Sequence, residues 1–267
     1  MTGRFALTDD ERRAWERDGF FLRLAAFSAE EIDALRAAAE RVAAAAARIA
    51  AIEGRAYEVD GNRYADAGDL TVQYEHGTDA ATLRVVEPFH HLDPAFERLV
   101  ADPRLVEPMC GLVGAERVAL WTDKLNFKRP REGSGFRWHQ DSPYWAHVSR
   151  HLDRLPNAML ALDDADEGNG CLRVVRGSHR HGLLPGRPGD GVLGPLFTDP
   201  AAFDAGQQVA AAMPAGSLLF FSPHTVHGSE PNRSDRARRA CVITYQPPGF
   251  DMFKLRGRRE WAPGAAA

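Results

Sequence analysis

Three histidine–x–aspartate triplets stand in this chain: His91-Leu92-Asp93, His139-Gln140-Asp141 and His151-Leu152-Asp153. On a strand, residues i and i+2 point to one face, so an imidazole and a carboxylate at that spacing can grip a single metal ion. Ten histidines and 21 aspartates in 267 residues give roughly 0.8 such triplets by chance, so spacing alone selects none of them. Asp93 precedes Pro94 and a helical pattern, where it suits an N-cap. His151 and Asp153 lie in AHVSRHLDRLP, a charged linker suited to solvent. His139 and Asp141 end GFRWHQD among Phe136, Trp138, Tyr144 and Trp145, the setting of a pocket with a few fixed polar groups.

A third ligand is available in SPHTVHGSEPNRSDRARRA, where His227 follows the strand-like GSLLFFS. Two imidazoles and one carboxylate form a facial triad that suits Fe(II) and leaves coordination positions open; neither segment holds a thiolate. Such a centre needs a cation one strand further on to hold the carboxylate of an oxo-acid co-substrate. Arg238 and Arg239 stand there, and a guanidinium binds carboxylate bidentately. Taken alone, Arg233, Arg236, Arg238 and Arg239 read as a solvated basic turn. His224 reads as a loop neighbour of the site.

The elements that must position these groups fall into two textures. Thr8 with Glu11, and Ser28 with Glu31, have capping-box spacing, and Gly19 stands where a C-cap would. Two helices are expected around a short strand at Phe20–Leu24, the second helix reaching about Ile52. Residues 54–80 lack a clean period and read as irregular, as a flap would be. Asp93-Pro94 opens a further helix to about Leu112. From residue 117, short apolar runs alternate with Gly, Pro, Asn and Asp clusters, as in a barrel or sandwich. The expected class is α+β, mainly β, a jelly roll with N-terminal and flanking helices. One domain over 1–267 is expected, with a helical layer over about 1–115 and a β core over about 116–250. Residues 182–209 form a Gly/Pro-rich insertion, long enough to be functional.

Composition narrows the classes. The formal charge is −4, which disfavours a binder that neutralises nucleic-acid phosphates. No apolar run approaches a membrane span, and the N-terminus has no signal-peptide core, so a cytoplasmic location is expected. Cys110, Cys171 and Cys241 fit neither a disulfide framework nor a zinc site. Among 33 basic residues only Lys124, Lys128 and Lys254 are lysines, which reads as a bias toward GC-rich codons.

Four segments resemble the phytanoyl-CoA dioxygenase family of Fe(II)/2-oxoglutarate oxygenases: LTDDERRAWERDGFFLRLAAFSAEEIDALR, KLNFKRPREGSGFRWHQDSPYW, GNGCLRVVRGSH and SLLFFSPHTVHGSEPNRSDRARRA. The resemblance implies a double-stranded β-helix in which His139, Asp141 and His227 bind iron and act in catalysis. It implies that Arg238 pairs with 2-oxoglutarate, assisted by Ser229, with Gln140 and Arg84 near the co-substrate. The third substrate is O₂. Met159 stands where relatives often carry Trp. The intact Asp141 favours oxygenation over the halogenation of related enzymes. The expected reaction is attack on an unactivated C–H bond of a small organic metabolite, in secondary metabolism: hydroxylation first, with epimerisation, desaturation or cyclisation as siblings. Candidate walls for that substrate are Tyr74, Arg84, Trp121, Lys124, Asn126, Trp138, Tyr144, Trp145 and His147. Two other classes compete. One is a cupin-like isomerase or hydrolase without 2-oxoglutarate, and the other a metal-free binding module.

Overall fold

A computed structural model describes residues 3–76 and 82–264. Helix α1 (Asp9–Asp18) and helix α2 (Ala29–Glu53) both begin in complete capping boxes, at Thr8/Glu11 and Ser28/Glu31. Gly19 closes α1 at φ 84°, a left-handed conformation that costs glycine nothing. The reversal delivers strand β1 (Phe20–Arg23) directly after the helix. Along α2 the buried positions are Ile32, Leu35, Ala38, Ala39, Val42, Ala43, Ala46 and Ala50, one face at helical spacing. Their small side chains let α2 lie close on the sheet beneath it, against β3 (Asn62–Ala67), β4 (Leu70–Tyr74) and β5 (Leu83–Glu87).

The expectation of an irregular flap over 54–80 is corrected here. Strand β2 (Arg55–Val59) pairs with β3, β3 with β4 and β4 with β5, all antiparallel. The period was weak because β2 lies at the sheet edge with four of its five residues exposed. Residues 77–81, within the β4–β5 connection, lie outside the described residues. The helix expected from Pro94 to about Leu112 is two helices, α3 (Pro94–Leu99) and α4 (Pro103–Val113). Pro103 cannot continue a helix, and Asp102 caps the new one through the Arg104 amide.

The remaining strands are β6 (Val118–Lys128), β7 (Phe136–His139), β8 (Asn157–Ala161), β9 (Arg173–Val175), β10 (Gln208–Ala210), β11 (Leu218–Phe221), β12 (His227–Ser229), β13 (Arg238–Gln246) and β14 (Glu260–Trp261). A short helix, α5 (Ser142–Trp145), follows β7. The larger sheet runs β1-β11-β8-β13-β6-β5-β4-β3-β2, with β14 on β6; the smaller runs β10-β9-β12-β7. The architecture is a jelly-roll double-stranded β-helix with flanking helices. The N-terminal segment is therefore not a purely helical layer: β1 to β5 extend the large sheet on both sides.

One apolar cluster joins α2, α3 and α4 to the outer face of the large sheet, including Phe89, Phe96, Leu125, Phe127, Phe220 and Tyr245. A second fills the space between the sheets with Phe20, Met159, Val174, Leu219 and Phe221 among others. Cys110, Cys171 and Cys241 are free and buried. Among the described residues no helix is long and apolar enough to cross a membrane. Phe220 is fully buried and stacks on Phe21 at 4.7 Å. Phe220→Ala is expected to lower unfolding free energy by about 3–5 kcal/mol in urea titration; a loss below about 1 kcal/mol would show that this contact does not join the helical layer to the sheet.

Candidate functional site

His139 and His227 are direct cross-strand partners in the β7–β12 ladder, and their ring centroids are 4.1 Å apart. Each imidazole is fixed by its own backbone. Nδ1 of His139 donates to the Arg137 carbonyl at 2.7 Å, and Nδ1 of His227 to the Thr225 carbonyl at 2.9 Å. A carbonyl only accepts, so both rings keep the proton on Nδ1 and leave the Nε2 lone pair free. Asp141 follows β7 in a turn whose amides, those of Asp141 and Ser142, donate to the Pro223 carbonyl. Ligand atoms of His139, Asp141 and His227 lie within 4.8 Å of one another.

The donor set fits a divalent ion. Burial, with the fields of neighbouring groups, pushes the His139 pKa down to about 3, so this ring gives up no proton on meeting a metal. Burial pushes the Asp141 carboxyl up, but His227, Lys124, His139 and the Asn157 amide outweigh it, and the net shift is downward. Asn157 Nδ2 donates to Asp141 Oδ2 at 3.0 Å, while its own oxygen accepts from Thr244 Oγ1. Asn157 thus aims the carboxylate as a metal ligand is usually aimed, by an outer hydrogen bond.

Two β-bulges decide which side chains reach this point. In β7, His139 pairs with His227 but Phe136 with Ser229, so Arg137 and Trp138 both oppose Gly228. Strict alternation would put Phe136 and His139 on opposite faces; the bulge puts them on one. In β6, Thr122 pairs with Thr244 and Leu120 with Tyr245, leaving Trp121 as the extra residue. Beyond it Leu125 and Phe127 enter the large core, and Lys124, Asn126 and Lys128 line the opposite face.

At the deep end of that face three basic side chains meet. Arg238 opens β13 opposite Lys128 and is 3% exposed. It donates to the Gly170 carbonyl at 2.8 Å, and its Nε has no partner. Lys128 is fully buried; it donates to Ser229 Oγ at 2.8 Å and to the Glu230 carbonyl. Arg84 lies over the Phe136 ring at 4.0 Å, hydrogen-bonded to His76 and the Gly135 carbonyl, with a buried unpartnered Nε. Among the described residues none of the three has a carboxylate within ion-pair distance. Burial, then the fields of Arg238 and Arg84, push the Lys128 pKa down to about 6; burial pushes Arg238 down to about 10. A buried cluster of this kind calls for an anion.

The shallow end is aromatic. The Lys124 ammonium lies 3.9 Å from Asp141, over the rings of Tyr144 at 5.7 Å and Trp145 at 5.6 Å. Trp121 packs with Trp145 and stacks on Phe253 at 5.2 Å. Tyr144 meets the His139 ring edge-on at 6.0 Å, and burial pushes its phenol up. Tyr74 packs half-buried against the large core, and Asn126 is half-buried on the β6 face that carries Lys124.

Three expectations need correction. Gln140 is fully buried, but its amide is committed to the Gly182 and His224 carbonyls and the Leu184 amide, so it braces the insertion rather than facing a co-substrate. Trp138, adjacent to His139 on the strand and so on the opposite face, packs on Phe203 of the insertion at 5.7 Å. His147 is exposed after α5 and walls nothing. His224 is buried and hydrogen-bonds Asp153 through Nε2 at 2.7 Å. Sequence reasoning missed Lys128, Asn157, Glu87 and Lys254 as site residues. A signal existed for the lysines, since both of these and Lys124 belong to this region in a chain almost empty of lysine.

Asn157→Ala is expected to weaken Mn(II) binding by about 10–100-fold, read by anaerobic paramagnetic titration; unchanged affinity would remove Asn157 from the centre. Lys128 makes a second prediction. It is depressed to about 6 when folded against a reference of 10.5, so between those values the unfolded chain binds the extra proton. Stability contributed by this group therefore rises with pH across that window. Lys128→Met is expected to flatten the slope in urea titrations from pH 6 to 10, and an unchanged slope contradicts the assignment.

The phytanoyl-CoA dioxygenase (PhyH) family matches residues 15–240. The ectoine dioxygenase of Bordetella parapertussis (strain 12822 / ATCC BAA-587 / NCTC 13253) is 32% identical over 260 residues, covering 91% of this chain and 77% of the relative. The L-proline trans-4-hydroxylase of Streptomyces griseoviridis is 29% identical, covering 65% of this chain and 70% of the relative. Among solved structures, EctD from S. alaskensis with 2-oxoglutarate and 5-hydroxyectoine superimposes with a TM-score of 0.70 at 23% identity, covering 96% of this chain and 82% of that one. With that match across most of its length, the chain belongs to the phytanoyl-CoA dioxygenase family of non-haem Fe(II)/2-oxoglutarate-dependent oxygenases.

Proposed function

We propose that this chain works as one catalytic unit, hydroxylating an unactivated C–H bond of a small organic metabolite, with secondary metabolism as its expected setting. His139, Asp141 and His227 hold the iron; Arg238, Lys128, Arg84 and Ser229 hold the distal carboxylate of 2-oxoglutarate. Bound iron would supply the oxidative decarboxylation of 2-oxoglutarate by O₂ and the hydrogen-atom abstraction that follows. The relatives named for ectoine and L-proline support a small-molecule substrate.

The observation that carries the reading is the deep basic cluster, on the same β6 face as Lys124 and Asn126. A metalloenzyme with no anionic co-substrate would leave the Arg238 guanidinium buried with no carboxylate within ion-pair distance among the described residues, Arg84 with only the field of the buried Glu75, and Lys128 driven toward its neutral form. With a carboxylate there, Arg238 and Arg84 find a partner for their free Nε atoms, and Lys128 holds the Ser229 hydroxyl in place. At the metal, the fixed Nδ1 protons keep both Nε2 lone pairs aimed at one point. Tyr144, backed by the buried Trp121 and Trp145, walls the approach beside His139. Lys124 and Asn126 add the polar contacts that orient a substrate, whose position decides which C–H bond reacts; Tyr74, turned to the large core, is not among them.

Anaerobic addition of Fe(II) and 2-oxoglutarate is expected to give the weak visible charge-transfer band of the chelate. His139→Ala should abolish it, and Arg238→Met should raise the 2-oxoglutarate concentration for half-development roughly tenfold or more. A wild-type protein that forms no band would falsify the reading.

A further inference from the structure

All three lysines of this chain belong to the site region, although 33 basic residues were available to the sequence as a whole. Lys128 has work at the deep end. Lys124 and Lys254 do not yet have a partner that accounts for them. Lys124 makes no hydrogen bond among the described residues, although three-quarters of its side chain is buried; its nearest charge is Asp141 at 3.9 Å. Lys254 enters from the C-terminal segment beside Phe253, donates to Thr71 Oγ1 at 2.6 Å, and lies 3.9 Å from Glu87 Oε2. Glu87 in turn accepts from Thr122 Oγ1 at 2.8 Å, on the strand that carries Lys124.

These two lysine pairs are loose by the standard of this molecule. Arg23–Glu11 and Arg104–Glu31 each close to 2.7 Å, as charged hydrogen bonds do. At 3.9 Å the two ammoniums are held near their carboxylates without being bonded to them. Each keeps about a quarter of its side chain open to solvent, 25% for Lys124 and 22% for Lys254. Lys124 faces the fields of Glu87 and Asp141, and a metal ion on Asp141 would draw off the second of these. Two ammoniums flank a single free carboxylate, Glu87, so the mouth carries an excess positive charge beside an aromatic wall.

We propose that Lys124 and Lys254 form the anion-binding subsite for the primary substrate, which is therefore a small carboxylate or phosphonate whose aliphatic part lies against Tyr144. This inference deepens the reading given under Proposed function and rests on it. Lys254 sets specificity from the C-terminal segment, and Glu87 spaces the two ammoniums.

The test measures 2-oxoglutarate consumption above the substrate-free background. Probes are small carboxylates and phosphonates, each paired with a neutral counterpart, for example isobutyrate with isobutyramide and methylphosphonate with its dimethyl ester. Stimulation is expected from anions and not from their neutral partners. For the best anion, Lys254→Met should raise KM roughly tenfold or more with kcat nearly unchanged, and Lys254→Arg should recover most of the loss. A set in which no anion stimulates, or in which neutral partners do equally well, overturns the proposal. So does a Lys254→Met enzyme with unaltered KM. If Lys124→Met weakens 2-oxoglutarate in the charge-transfer titration rather than the substrate in turnover, Lys124 serves the co-substrate and the paired subsite is wrong. A protein that forms the band yet ignores every anion fails this inference alone; one that forms no band fails the parent reading.

Discussion

Everything at this site depends on one pairing, His139 opposite His227 in the ladder between β7 and β12. Two imidazoles on separate segments meet only if those strands pair in this register, and a slip of one residue would turn a ring to the other face. The pairing is enforced from several sides. β12 is held by β9 on its other edge, and the Asp141 turn hangs from the Pro223 carbonyl just before β12. Backbone carbonyls two residues upstream then fix both tautomers. The metal-binding geometry is thus a property of the sheet, and the side chains inherit it.

The long strand β6 plays a complementary part. One face is sealed into the apolar core by Leu125 and Phe127, so the other must present Lys124, Asn126 and Lys128 toward the site. Their order along the strand separates two tasks. Lys128 lies deep, among Arg238 and Arg84, where burial and their fields push its pKa down and a bound anion would hold it charged. Lys124 lies shallow, beside Asp141 and the aromatic residues of α5. Charge at both ends and apolar surface between them suit a reaction that orders two small molecules about one metal.

Much of this was legible in the chain itself. The capping boxes and the jelly-roll texture after residue 117 required only local pattern, while His139, Asp141 and His227 were singled out by context together with the family resemblance, and the fold brings the three together. What failed did so for physical reasons. The start of the meander over residues 55–74 was hidden because its outermost strand, β2, lies at the sheet edge and need not alternate. Phe136 was undervalued because a bulge breaks the period of two that sequence reading assumes, whereas Trp138 was misplaced by its nearness to His139 although alternation turns it to the other face. Gln140 and His147 were drawn in by proximity in sequence, which says nothing about direction. Asn157, Glu87 and Lys254 had no motif at all.

The sequence by itself determined the donor types, the β-rich core and the arginine segment beyond the distal histidine, because each is encoded by residue identity at short range. The tertiary structure alone decided which groups converge. Asn157 meets Asp141 through the β8–β13 neighbourhood, Lys128 meets Ser229 across 101 residues, and Lys254 reaches Glu87 from the C-terminal segment. Such contacts depend on strand register, bulges and chain return, and these are set by how the whole core packs rather than by any local run of residues.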